Sequence, residues 1–524
     1  MAGFIFAPKG DDTAARRLRR QAGAGELVKL ATGVYLSADG VAPEEAARLH
    51  WPALVGHLFP DGVITDLTGL TYAPEREEAT GTLHVFVSAP GAPRRVEIAK
   101  LVISARRGVG PVDGDIPYMG SWVAGPERRY LDNMTPSRAR GGPARTLGPA
   151  GVEARLEREC SAKGEAHLNG IRDGARRIAP LVGKDKEFEA LDQLIGGLLR
   201  TRGATMRTRA GRARAVGSPI DEACLERVMT LRTALLAVPY AHVPDPNLSV
   251  GARRASSFVE AFFSNYIEGT RFLVGEAREI VFEGKIPQSR PQDGHDVLAT
   301  YAKLMEPPRP RLSEMGPDQF ILNLQVDHGD LMRERPEVGP GRFKTAANQA
   351  GNTVFVAPEK VHGTLHEGFE HVRAVSDPFA RAVLAHFLIS DVHPFSDGNG
   401  RMSRLAMSRE LISHGLSHIV IPTVFRQDYL SAMRAMTRQG NPDILIRSLS
   451  RCQQISAACA AETLDEAIGR WASTRAFLEE DRHASLTDPQ DPSEVVWRDG
   501  VPAPRRYWEH VDHDRDAGTG PGLL

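Results

Sequence analysis

Four cysteines in 524 residues, Cys160, Cys224, Cys452 and Cys459, are too few and too scattered for a disulfide framework, and none forms a CxxC pair of the kind a zinc site uses. No apolar run approaches the ~18 residues that a membrane-spanning helix needs, so no membrane partner is expected. No secretory leader is expected from the first residues: Phe4-Ile5-Phe6-Ala7 is too short for a signal core and is followed by Lys9 and two aspartates. Reduced thiols and no leader make a cytoplasmic protein the expectation. Net charge is nearly absent too, at −1, but it is unevenly spread. Residues 1–215 hold 32 Lys+Arg against 25 Asp+Glu, a net of +7, and the remainder holds 33 against 41, a net of −8. The basic half keeps DNA in view as a partner, and the acidic half argues against it for the part of the chain that carries chemistry. With 41% hydrophobic and 25% charged residues the composition is that of a soluble globular protein, long enough for about two to four domains.

What the chain does contain is a concentrated run from Val392 to Arg404, VHPFSDGNGRMSR. Gly398-Asn399-Gly400 allows consecutive backbone N–H groups to converge, and with a helix beginning at Arg401 they sit at its positive end, an anion site. Arg401 and Arg404 are three apart on that helix, so both guanidinium forks reach one polyanionic chain. Asp397 is a hard oxygen ligand suited to magnesium. His393 lies just before the loop, where a neutral imidazole takes a proton from an incoming hydroxyl.

The run fits HxFx(D/E)GNGRxxR at every fixed position, and on it the chain resembles the Fic family. Fic proteins are mostly helical, and most studied members transfer AMP from ATP to a protein hydroxyl. The resemblance implies that His393 is the general base and Asp397 the Mg2+ ligand. Asn399 with the Gly398 and Gly400 amides would form the anion hole, Arg401 and Arg404 would bind the β and γ phosphates, and Phe395 would be a buried anchor. ATP would be the substrate and a protein bearing a Ser, Thr or Tyr hydroxyl the partner; self-modification and a homo-oligomer are compatible with it. The lysine that replaces Gly400 in phosphorylating relatives is absent.

Two further stretches extend the resemblance. Residues 256–269 carry two apolar i, i+4 stripes, Phe258/Phe262/Tyr266 and Val259/Phe263/Ile267, which predict a mostly buried helix. Ser264 and Glu268 share one of its faces, and Ser264-xxx-Glu268-Gly269 matches the family's inhibitory motif (S/T)xxxE(G/N), in which the glutamate pairs with the second motif arginine, here Arg404, and excludes the γ phosphate. Around Gly351-Asn352, a glycine-first pair suited to a tight hairpin, residues 348–356 correspond to the family's flap, where a target segment docks by strand addition. Asp377-Pro378 supplies a cap and first-turn proline for a helix leading to His393. His366-Glu367 with His371 has HExxxH spacing, which sets the histidines roughly 140° apart on a helix, unlike a zinc-binding HExxH.

The first half reads as mixed α/β. A basic helix from Asp11, then strands at Leu27–Leu30 and Gly33–Leu36, resemble the last helix and wing of a winged helix, and GELVKLATGVYLS resembles the N-terminal region of AbiEi-type antitoxins and regulators. Further strands are expected at 82–87 and 98–103. Helical patterning follows from Ala150, then six arginines between Arg200 and Arg214 that read as a solvated linker.

The expected architecture is a multidomain chain, a mainly α Fic fold with a β-hairpin flap preceded by a mixed α/β N-terminal domain. Its parts are 1–145, a degenerate winged-helix-like α/β domain; 146–218, helices and an Arg-rich linker; 219–460, a Fic domain with inhibitory helix 256–269 and catalytic motif 393–404; and 461–524, a polar, partly disordered extension. The activity expected is an autoinhibited, magnesium-dependent protein adenylyltransferase. The alternatives are AMP removal or another nucleotidyl transfer at the same site, and a DNA- or partner-binding regulator with a silent core.

Overall fold

The computed structural model describes residues 4–8, 10–38, 41–137, 142–307, 310–479 and 484–516. They divide into two compact units, Met1–Gly217 and Ser218–Leu524.

The first unit contains a seven-stranded mixed sheet in which Leu83–Ala89 lies parallel to Leu101–Arg107. Val85, Phe86, Val87 and Ile103 are buried in it, as the apolar runs require of a covered strand. The strand expected at 98–103 is in fact two. Ala99 and Lys100 take positive φ (47° and 59°), so the chain turns back on itself and Arg94–Ile98 pairs antiparallel with Leu101–Arg107, Ile98 facing Leu101. No glycine or asparagine marks that turn, which is why the sequence hid it. Helix Asp12–Gly23 buries none of its residues and is followed by Leu27–Ala31 and Val34–Ser37, which form a small sheet with Ile5–Phe6 from before the helix. Four helices, Pro126–Met134, Gly148–Lys163, Glu165–Val182 and Asp185–Leu198, share a core containing Leu131, Leu156, Leu168 and Ile195. The arginine-rich stretch is tied to this bundle and is not a free linker: the Glu153 carboxylate accepts from the Arg207 and Thr208 amides (2.9 and 2.8 Å), and Arg214 pairs with Glu157 at 3.3 Å. Buried carboxylates needed partners, and the arginine-rich segment supplies them.

The helices of ten or more residues in the second unit are α1 (Glu222–Leu236), α2 (Val250–Ile267), α3 (Pro291–Met305), α4 (Pro317–Leu331), α5 (Val361–Arg373), α6 (Pro378–Val392), α7 (Asn399–Ser413), α8 (Arg426–Gln439), α9 (Asp443–Ala458), α10 (Leu464–Ser473) and α11 (Arg505–Asp516). Helix α6 is the axis. It is mainly apolar and buried from Phe379 to Ile389, packing against α1, α5 and α7, with its buried Arg381 paired to Glu410. The Asp377 carboxylate caps it by accepting from the Ala380 amide (2.8 Å), as its sequence implies.

Helix α2 carries Phe258, Val259, Phe262 and Phe263 of the predicted stripes into a second core, while Ile267 joins the core around α6 and Tyr266 is only half-buried. In the second core Phe262 and Phe263 meet Phe477 and Trp471 (centroids 5.6 and 4.9 Å to Phe477, and 5.7 Å from Phe263 to Trp471). Trp471 belongs to α10. Residues beyond 461, read as a polar extension from composition, therefore supply buried aromatic surface that backs α2, each such side chain stabilising by about 1.5–3 kcal/mol. Among the described residues no helix is long and apolar enough to cross a membrane.

Candidate active site

The site forms where α6 ends and α7 begins. His393 closes α6 in the left-handed region (φ 51°), and Gly398 opens α7 with φ 76°. Between them the loop is fastened from several sides. Phe395 is fully buried, as expected of an anchor, and stacks face to face on the imidazole of His328 from α4 (centroids 3.7 Å, 2° between planes). His328 Nε2–H donates to the Asp397 carbonyl (3.0 Å), while its Nδ1 accepts from the Gly341 amide (3.0 Å). Burial pushes its pKa down to about 4, so the ring is neutral and keeps this donor–acceptor pattern.

Two members of the expected anion hole are engaged elsewhere. The Asn399 side chain is spent on Phe395, its Oδ1 accepting from the Phe395 amide and its Nδ2 donating to the Phe395 carbonyl, both at 2.9 Å. The Gly398 amide donates to Asp397 Oδ1 (2.7 Å). Asn399 therefore braces the loop through its side chain, and what the loop offers an anion is the first turn of α7 around Gly400. The physical reason is that the buried parts of the loop must satisfy their own backbone groups first.

The two arginines are also differently placed. Arg401 is buried and its Nη1 lies 2.6 Å from Asp296 of α3, a fully buried carboxylate that Arg335 also approaches at 2.9 Å. Its Nη2 stands 3.7 Å from Asp397, whose side chain is half exposed. Arg404 faces α2: its Nε donates to Ser264 Oγ (3.0 Å), and its Nη2 donates to the Ser264 carbonyl (2.9 Å) and to Glu268 Oε1 (2.6 Å). Burial works against the guanidinium charge, but the adjacent Glu268 and Tyr429 together outweigh it, so its pKa is raised. A Cβ on Gly400 would lie 2.1 Å from Glu268 Oε1, so the carboxylate rests directly on the opening turn of α7. Gly269, with φ 94°, releases the chain from α2 immediately afterwards.

The face shared by Ser264 and Glu268 continues one turn back. Glu260 accepts from Ser408 Oγ and approaches His418 Nδ1 (2.6 Å), so residues four apart on α2 meet residues four apart on α7 in an antiparallel polar ladder.

His393 opens onto a cleft of about 500 Å³ together with Glu268, Gly400, Arg404, Phe355 and Tyr429. Its ring stacks on Phe355 (centroids 3.8 Å, 7° between planes), and Nδ1 lies 3.2 Å from the Ser390 carbonyl, a contact that places the proton on Nδ1 and leaves Nε2 as the acceptor. Burial, aided by the Lys344 cation, pushes the pKa down to about 4. The hairpin expected at 348–356 consists of Gln349–Ala350 and Thr353–Val354, paired across Gly351-Asn352, with Thr353 Oγ1 accepting from Arg438 Nε (2.8 Å). His328, Asp296 and Lys344 were not singled out from the sequence; each lies far along the chain from the motif, in a stretch with no local signature.

A family model described as Fic/DOC matches residues 323–411. The chain is similar to protein adenylyltransferase fic-1 of Caenorhabditis briggsae, 27% identical over 221 residues that make up 41% of this chain and 43% of that one. It is also similar to protein adenylyltransferase Fic of Nematostella vectensis, 23% identical over 54% of this chain and 65% of that one. It thus spans less than two thirds of either relative. A solved structure of Fic-1 from C. elegans overlaps 57% of the chain and 96% of its own at 21% identity and a TM-score of 0.34. The loop between α6 and α7 lies within the residues that match the Fic/DOC family model.

Proposed function

We propose that the chain is an autoinhibited, magnesium-dependent protein adenylyltransferase that moves AMP from ATP to a Ser, Thr or Tyr hydroxyl of a target protein. The observation that carries this reading is the convergence, in one cleft, of a neutral histidine acceptor, the opening turn of a helix and a buried arginine whose present partner is a carboxylate. Those are a base, a phosphate seat and a cation with a phosphate-like occupant.

In the reaction, His393 Nε2 takes the proton of the target hydroxyl as its oxygen bonds to the α phosphorus, the α–β bridging bond breaks, and pyrophosphate leaves carrying the electron pair. The Gly400 turn and Arg404 hold the departing phosphates, with Arg401 oriented by Asp296 beside them. Asp397 suits Mg2+: its carboxylate is half exposed beside the cleft, and a single carboxylate is enough where nucleotide phosphates and water fill the remaining positions. Bound there, Mg2+ neutralises phosphate charge. The flap at 348–356 aligns the target segment. Glu268 holds the enzyme off by occupying the phosphate seat, and displacement of α2 releases it.

ATP radiolabelled at the α or at the γ phosphate tests the reading, in the Glu268→Gly protein with and without Mg2+. Covalent label from the α position alone, abolished by chelation, is expected. Label from the γ position would make the protein a phosphotransferase, and AMP release from a modified protein without any labelling would move the reading to AMP removal.

A further inference from the structure

We propose that Lys344 is a positioning residue of this site, tying the flap to the backbone on both sides of His393. Its amide donates to the Pro394 carbonyl (2.9 Å), and its ammonium donates to the Val392 carbonyl (3.4 Å) and to Asn348 Oδ1 (2.6 Å). Asn348, the first residue of the flap, passes the connection on: Nδ2 donates to the Phe395 carbonyl (3.0 Å), and its own carbonyl accepts from the Phe355 amide (3.2 Å). Phe355 then stacks on the His393 ring. Three carbonyls flanking His393 and the ring itself are thus held by one frame with Lys344 at its hub.

Two features single the lysine out. His393 sits at φ 51°, a conformation that costs a non-glycine residue about 1–2 kcal/mol and persists only where its surroundings impose it. Lys344 is 4% exposed, and both side-chain acceptors are neutral, so among the described residues its charge is buried with no carboxylate hydrogen-bonded to it. An apolar side chain there would spare that desolvation. Burial pushes the Lys344 pKa down to about 8, consistent with an uncompensated cation. The charged groups acting on His393 are Lys344, Glu268 and Asp397, and Arg404, Arg434 and Arg438 line the same cleft. Lys344 is the cation nearest the base's own backbone, and it disfavours the imidazolium.

The catalytic side of this role rests on the transferase reading above, whereas the mechanical side does not. Lys344→Met, Lys344→Arg and Asn348→Ala are compared in the full-length Glu268→Gly protein by amide hydrogen exchange and by AMP incorporation. In Lys344→Met and Asn348→Ala, exchange across 348–356 rises at least tenfold while that across 399–413 stays unchanged, and kcat falls about 10- to 100-fold with KM for ATP preserved. Lys344→Arg restores most of both. Asn348→Ala cuts the same frame at a half-buried position, so the question stays open to test if Lys344→Met does not fold. Unchanged flap exchange in both variants, or a loss carried by KM for ATP alone, overturns the inference. If the Glu268→Gly parent takes up no label, the transferase reading fails, and the exchange result still decides whether Lys344 holds the flap.

Discussion

Glu268→Gly is expected to take up AMP from ATP about 100-fold faster than the wild-type chain. The Glu268 carboxylate lies 2.6 Å from Arg404 Nη2 and on the opening turn of α7, where a phosphate would receive the same fork and the same helix terminus. A charge-assisted hydrogen bond of this kind is worth about 1.5–3 kcal/mol, and each ~1.4 kcal/mol is a factor of ten in occupancy, so removing the competitor raises productive binding by roughly two orders of magnitude. The same change leaves buried Arg404 with only the uncharged partners Ser264 and Tyr429 and lowers stability by up to about 3 kcal/mol, since a lost carboxylate exposes the desolvation cost of a buried charge. Saturating ATP restores the lost stability, because the nucleotide refills the seat. Rates in a labelling assay and melting temperatures with and without ATP check both halves.

His393→Ala in the Glu268→Gly background loses between about 100- and 10,000-fold in kcat, the usual contribution of a positioned general base. The accompanying pH profile carries equal information. Burial holds His393 near 4 instead of the ordinary 6.5, and protonation abolishes its acceptor. The sign is fixed: lowering the pKa widens the range in which the base is neutral, so the rate at pH 6 stays at its neutral value and is halved only near pH 4, provided the fold persists there. An acid limb centred near 6.5 would mean that the base is solvated and not the His393 seen here.

The α6–α7 segment was legible because each of its signals is local. An aspartate–proline start, a continuous apolar helix, a glycine at the turn and two arginines one helical turn apart can be read without knowing what lies opposite. Ser264 and Glu268 were legible for the same reason, being four apart on a helix whose buried stripes fix its orientation, and the glycine-first turn likewise marked the hairpin. What could not be read was who holds what. Asp296, His328 and Lys344 come from α3, α4 and the approach to the flap, and only the tertiary packing of α6 and α7 brings them to the motif. Without those partners in view Asn399 and Arg401 read as unengaged, whereas the Asn399 side chain braces the loop and Arg401 is anchored on Asp296. Composition misled in the last stretch: a charged average after 461 concealed Trp471 and Phe477, which back the helix carrying Glu268. The Ala99-Lys100 turn was invisible because its residues are not those that usually adopt positive φ.

The most direct measurement is calorimetric titration of ATP and of AMP, each with Mg2+, into the wild-type and Glu268→Gly proteins with His393 replaced by alanine in both to prevent turnover. If Glu268 stands in the seat of a terminal phosphate, the glycine variant binds ATP about 100-fold more tightly than its parent while AMP binds the two alike. Equal gains for ATP and AMP, or no gain for either, would contradict that account and leave the Glu268–Arg404 pair a structural contact.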